Sequence, residues 1–118
     1  EGTGLVSNGV WFPPVDVYET EDDIILKAEL PGMEAKGVTI EVEENLITLK
    51  GERKFEKKLC DENCHRMERF YGRFQRVFSL PNSVDKNSIK ANFKDGVLEI
   101  IVPKIYGAKP KAVKIKVE

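Results

Sequence analysis

Sulfur and imidazole are scarce in this chain. Its 118 residues include two cysteines, Cys60 and Cys64, and one histidine, His65. A lone close-spaced cysteine pair is no disulfide framework, and a chain of this length does not need one, so a reducing cytoplasm is the expected setting. Charge of one sign is also missing. Lys plus Arg number 19 against 20 Asp plus Glu, a formal net charge of −1, which gives a polyanionic partner no field to follow. Long apolar runs are absent: the longest purely aliphatic stretches are Ile24-Ile25-Leu26 and Ile100-Ile101-Val102, far short of the ~20 residues of a membrane-spanning helix. No signal-peptide-like stretch opens the sequence. It begins at Glu1 rather than Met, as a processed or excised chain does.

The same scarcity removes most chemistry. Cys60, Cys64 and His65 offer three ligands where structural zinc takes four, and no further Cys or His exists to complete the shell. The spacing Cys-x-x-x-Cys-His is one residue too long for covalent haem attachment. His65 stands beside Arg66 in a highly charged stretch, the setting of a solvated side chain rather than of a general base with a partner and a cleft. Gly32 and Gly37 have the spacing of a phosphate-binding loop. Val38 and Thr39 then stand where Lys and Ser/Thr are required, so the principal cation for the phosphates is missing. Basic residues in 52–69 are interleaved with acids, which cancels the field a nucleic-acid backbone needs. The sequence therefore predicts no enzyme, cofactor, metal or nucleic-acid partner.

What is present is alternation. Ile24, Leu26, Ala28 and Leu30 alternate with Ile25, Lys27 and Glu29 before Pro31-Gly32. Val38, Ile40 and Val42 alternate with Thr39, Glu41 and Glu43. Glu44-Asn45 can then turn the chain into Leu46–Leu49, with Gly51 as terminator. Phe74–Leu80 is another β-rich run. Ile89, Ala91 and Phe93 lead into Asp95-Gly96, a strong type I′ hairpin signal, and Val97–Val102 returns as its partner. A period of two with Gly, Pro and Asn punctuation predicts an all-β, antiparallel sandwich.

Three segments stand outside that pattern. Residues 1–12 read as a short N-terminal arm with Val10, Trp11 and Phe12 as apolar anchors. Residues 52–69 carry 11 charges in 18 positions, a density that opposes burial and predicts a long connection leaving the body of the domain. Residues 105–118 form a Lys-rich extension ending in the alternation Val113, Ile115, Val117. Alternate side chains of an extended segment point the same way, so two of these can enter one apolar groove while the backbone pairs with a sheet edge. Burying two aliphatic side chains contributes about 3–6 kcal/mol gross, much of it offset by ordering and association. Single contacts are then weak and reversible, and many together hold by avidity.

Several stretches, in order, resemble the small heat-shock proteins, whose shared unit is the α-crystallin domain. Pro14–Glu19 is similar to the family's opening strand, and Leu30-Pro31-Gly32-Met33 to its early turn. Val38–Val42 and Leu46–Arg53 are similar to its next hairpin. His65–Arg69, Tyr71–Arg76 and Leu80-Pro81 resemble the central motif. Ile89–Leu98, ending at Val102-Pro103-Lys104, resembles its most specific stretch, and Val113-Lys114-Ile115 stands where its Ile-x-Ile/Val motif follows Lys-Pro-Lys. The resemblance spans Pro13 to Val117.

It implies an immunoglobulin-like sandwich over residues 13–104 and an ATP-independent holdase that suppresses aggregation of unfolded client proteins. It further implies a homodimer in which a strand of the long loop is exchanged, Cys64–Phe70 pairing with Val15–Glu19 of a second chain, and larger homo-oligomers built from such dimers. The implied dimer interface comprises Val15, Val17, Tyr18, Cys64, His65, Arg66, Met67, Glu68, Arg69, Phe70 and Arg76. The implied groove is Val38, Ile40, Val42, Ile89, Ala91 and Phe93, and its occupant the tail motif Val113, Ile115, Val117. Family members carry a longer aromatic-rich arm than the dozen residues preceding Pro13. A co-chaperone or adaptor module with the same sandwich, docking on one folded partner, is the competing expectation. It needs neither the long loop nor the aliphatic tail.

Overall fold

A computed structural model describes residues 6–7, 10–54, 65–105 and 114–118. Its strands are β1 (Val6–Ser7), β2 (Val10–Trp11), β3 (Val15–Glu19), β4 (Asp23–Glu29), β5 (Val38–Glu43), β6 (Leu46–Arg53), β7 (Gly72–Ser79), β8 (Lys90–Lys94) and β9 (Val97–Pro103). They form two sheets, one in the order β1-β2-β7-β6-β5 and one in the order β3-β4-β9-β8. The architecture is an all-β, immunoglobulin-like sandwich.

Alternation becomes burial. In β4, Ile24, Leu26 and Ala28 are buried, and in β9, Leu98, Ile100 and Val102. The two strands pair antiparallel with Leu26 opposite Ile100, at the middle of their sheet. Ile47 and Leu49 of β6 and Phe74 of β7 meet them from the facing sheet, while Leu30, Leu80 and Val84 close the ends.

Turn chemistry fixes the register. Asp95 and Gly96 have φ of 56° and 80°, the left-handed pair that a two-residue hairpin between twisted strands demands. Leu30 N–H donates to Gly96 O at 2.7 Å, which docks the Leu30–Gly32 turn on that hairpin. A side chain at Gly96 would stand 3.2 Å from Pro31 Cα, a tight approach that adds to the preference for glycine set by the positive φ. At the β3–β4 turn, Asp23 N–H donates to Thr20 Oγ1 at 3.0 Å. Asp85 opens a 3-10 turn at Lys86–Ser88, accepting from Asn87 N–H at 3.1 Å and from Ser88 Oγ at 2.8 Å.

Three details differ from the sequence reading. Trp11, expected in an arm outside the sandwich, is buried. Its ring meets Phe74 edge-on at 5.4 Å and its Nε1–H donates to Gly72 O at 2.9 Å. Strand β2 pairs with β7 in parallel, an exception in an otherwise antiparallel pair of sheets. Residues 52 and 53, expected in the charged connection, belong to β6, and Arg53 is buried. Charge density predicted exposure, but the Arg53 guanidinium found backbone carbonyls and aromatic rings to replace water.

Candidate functional site

The margins of the four-stranded sheet carry the features that could act. At one margin lies β3, paired on its inner side with β4 in a register of Val15↔Ala28, Asp16↔Lys27, Val17↔Leu26, Tyr18↔Ile25 and Glu19↔Ile24. Glu29 N–H donates to Pro14 O and Thr20 N–H to Asp23 O, the two bonds that flank this ladder. Antiparallel pairs alternate between bonded and non-bonded. Pairs 14/29, 16/27, 18/25 and 20/23 are therefore bonded, and the backbone groups of Val15, Val17 and Glu19 point outward. Among the described residues no strand covers that edge.

Side chains on β3 are correspondingly bare. Val17 shares the core-facing side with Leu26, yet it is 50% exposed, because the facing sheet leaves it uncovered. Tyr18, on the outer side, is 42% exposed. Lys27 Nζ lies 5.8 Å from the Tyr18 ring centroid, and the Tyr18 hydroxyl beside it holds this ammonium above the usual lysine value. Val15 is half-buried against the core.

At the opposite margin, β8 and the edge strand β5 of the other sheet enclose a cleft of about 140 Å³ lined by Ala35, Val38, Ile40, Ala91, Phe93 and Leu98. Every lining residue is apolar. Four of them are expected groove residues. Val42 and Ile89, the other two expected, are half-buried against the core and are not part of the lining. Ala35 and Leu98 escaped the sequence reading. Alternation assigns a residue to a face but does not say where two sheets part, and Ala35 sits in a 3-10 turn with no period at all.

The remaining expected residues are dispersed. His65, Arg66, Met67, Glu68 and Arg69 are exposed and form no strand within this chain. Arg66 pairs with Glu68 at 3.0 Å. Phe70 is half-buried against the core. Cys64 and Val113 lie outside the described residues, as does Cys60. Ile115 and Val117 are 80% and 91% exposed, away from the cleft of their own chain. Arg76 donates from Nη1 to Pro13 O at 2.6 Å and stacks 5.1 Å over Phe78, so it ties the approach to β3 to the other sheet.

Arg53 is the site feature that sequence reading missed. It is 7% exposed, donates from Nε to Phe70 O and from Nη1 to Pro31 O, both at 2.7 Å, and stacks 4.2 Å from the Trp11 ring centroid. The Tyr71 ring centroid lies 5.7 Å away and also carries Arg69, at 5.5 Å. Burial, and then the nearby Arg69 charge, lower the Arg53 pKa. The only signal in the sequence is an arginine at the end of an alternating strand, at an inward-facing position.

A sandwich with an uncovered strand edge, an apolar cleft and an exposed aliphatic tail is built for protein association. Comparison with known proteins makes the class specific. Residues 16–118 match the Hsp20/alpha crystallin family, and the chain belongs to it. These small heat-shock proteins are chaperones and not enzymes. Small heat shock protein C4 of Rickettsia felis is 38% identical over 109 residues, which cover 92% of this chain and 67% of that protein. The 17.8 kDa class I heat shock protein of Arabidopsis thaliana is 41% identical over 99 residues, 83% of this chain and 63% of that one. This chain thus spans about two thirds of the length of such relatives. A small heat-shock protein of Xylella fastidiosa, whose structure has a distinct high order arrangement, superposes with a TM-score of 0.78 at 36% identity. The match covers 91% of this chain and 98% of that one. HspA of Xanthomonas axonopodis gives 0.73 at 39% identity, with 80% and 94% covered.

Proposed function

We propose that this protein is an ATP-independent holdase that assembles through strand-exchanged dimers and through tail-in-cleft contacts between dimers. One observation carries the reading. The same chain has an all-apolar cleft of about 140 Å³ at its β5–β8 margin and a terminal segment whose Ile115 and Val117 have no cover. A cleft and a two-residue hook on one chain, kept apart within that chain, form a heterologous contact that propagates from copy to copy. Val113, Ile115 and Val117 supply the hook, and apolar segments of an unfolded client compete for the same cleft.

At the other margin, residues 64–70 of a second chain pair with Val15–Glu19. The outward amides and carbonyls of Val15, Val17 and Glu19 favour this, since an unpaired edge is the natural template for another strand. Arg76 holds the entry to that strand through Pro13. The working unit is then residues 13–104, with 105–118 as the connecting extension.

The test is aggregation suppression of a heat-denatured client without nucleotide, run beside a solution mass measurement. Replacing Val113, Ile115 and Val117 together by Ser is expected to shrink the assembly to dimers with an unchanged unfolding midpoint. An unaltered mass would remove the tail from the mechanism. A monomeric wild type without suppression would favour an adaptor that docks on one folded partner.

A further inference from the structure

Arg53 and Phe70 stand at the two ends of the 54–69 connection, and the bond from Arg53 Nε to Phe70 O joins those ends directly. The second bond, from Nη1 to Pro31 O, reaches the turn that leaves β4 in the opposite sheet. One side chain therefore fixes both stems of the connection to both layers of the sandwich. Trp11 covers it, held by its own bond to Gly72 O and by the Phe74 ring.

We propose that Arg53, capped by Trp11, is a positioning residue for subunit exchange: it sets the direction in which residues 65–70 leave the sandwich toward a partner, and the cap makes that setting reversible. The inference rests on the strand-exchanged dimer proposed above.

Reversibility follows from the chemistry of the cluster. Among the described residues Arg53 has no carboxylate within ion-pair distance. Two carbonyls and two ring faces replace its water, and Arg69 repels it. Burial of a cation without a counter-ion carries a desolvation cost that these contacts must offset. Undocking Trp11 exposes apolar ring surface, which opposes release, but it also rehydrates the guanidinium, which favours release. The two changes oppose each other, so rehydration of Arg53 lowers the cost of lifting the cap. Once Arg53 is hydrated, its hold on Phe70 O competes with water and the stems of the connection part. The residues just before Pro13 thereby act on the dimer margin without touching it.

Trp11 is the chain's one tryptophan, so its emission reports the cap directly. The experiment mixes two mass-labelled pools of the intact chain and follows mixed dimers by native mass spectrometry, with a denaturant midpoint on each variant and tryptophan emission on those that keep Trp11. R53M keeps the reach and loses the donors. It is expected to speed exchange by about tenfold, as loss of charged hydrogen bonds implies, to shift emission to the red and to lower the midpoint. R53K, able to reach one carbonyl, is expected to recover part of the slow exchange. W11F keeps a ring face without the Nε1–H and is expected to exchange about threefold faster. Exchange in R53M and W11F at the wild-type rate, from a dimeric wild type, overturns the inference and leaves the dimer reading standing. Should R53M fail to fold, R53K and W11F decide by the same criterion. A monomeric wild type overturns both.

Discussion

The centre and the margins of the four-stranded sheet follow opposite rules. In β4 and β9 every second residue is buried, whereas β3 and β8 bury none. Hydrophobic area removed from water is concentrated where Leu26 faces Ile100 and the opposite sheet supplies Ile47 and Leu49. At the margins the same kinds of side chain, Val17 and Phe93, stay partly in water. The contrast teaches that fold stability and assembly chemistry occupy different strands of one sheet, so each can be damaged without the other.

The largest expected effect breaks the centre. Leu26→Ala leaves a cavity at a site of 0% exposure and is expected to lose about 2–5 kcal/mol. Denaturant unfolding measures it, and assembly should fail only because the domain fails.

A proline pair on β3 separates ladder from edge. Asp16→Pro removes an inward amide bonded to β4 and is expected to lose about 2 kcal/mol of stability. Val17→Pro, one residue on, removes an outward amide. Its stability change should stay within about 1 kcal/mol, since an edge strand tolerates proline where its N–H faces solvent. Dimer dissociation measured by dilution should nevertheless become at least about tenfold easier. Equal effects of the two prolines on unfolding would mean that β3 has no free side.

The smallest effect on stability belongs to the cleft. Ala91→Phe adds a ring at an exposed position of β8 and is expected to change the unfolding free energy by no more than about 0.5 kcal/mol. It fills the space between β5 and β8, so the mass in solution should fall toward the dimer. A mass equal to that of the wild type would show that tails bind elsewhere.

Much of this architecture is legible in the sequence itself. Asp95-Gly96 announced a hairpin because few residue pairs accept two positive φ values, and the structure has them. Alternation located β4 through β9 because a half-buried strand leaves a period of two in its own residues. What stayed hidden depends on partners distant in sequence. Trp11 gains its core position from Gly72 and Phe74, about sixty residues on. Arg53 is buried because carbonyls from Pro31 and Phe70 and the rings of Trp11 and Tyr71 converge on it, and a charged neighbourhood in sequence says nothing of that. Val42 and Ile89 carry the same pattern as Val38 and Ala91, so only the divergence of the two sheets could tell lining from core.

Lys104 stands just past the end of β9. Its backbone N–H donates to Asp22 O, and its nearly buried ammonium meets Glu19 at 2.5 Å and Thr20 O at 2.8 Å. Residues 105–118 thus leave from a rivet driven into the tip of the β3–β4 hairpin. Traction on the extension meets the Ile105 bond to Ser83 O and then Lys104, which passes it to the far end of β3, before it reaches the middle of the sheet. A neighbour that captures the tail is, in mechanical terms, also holding the strand at the other margin.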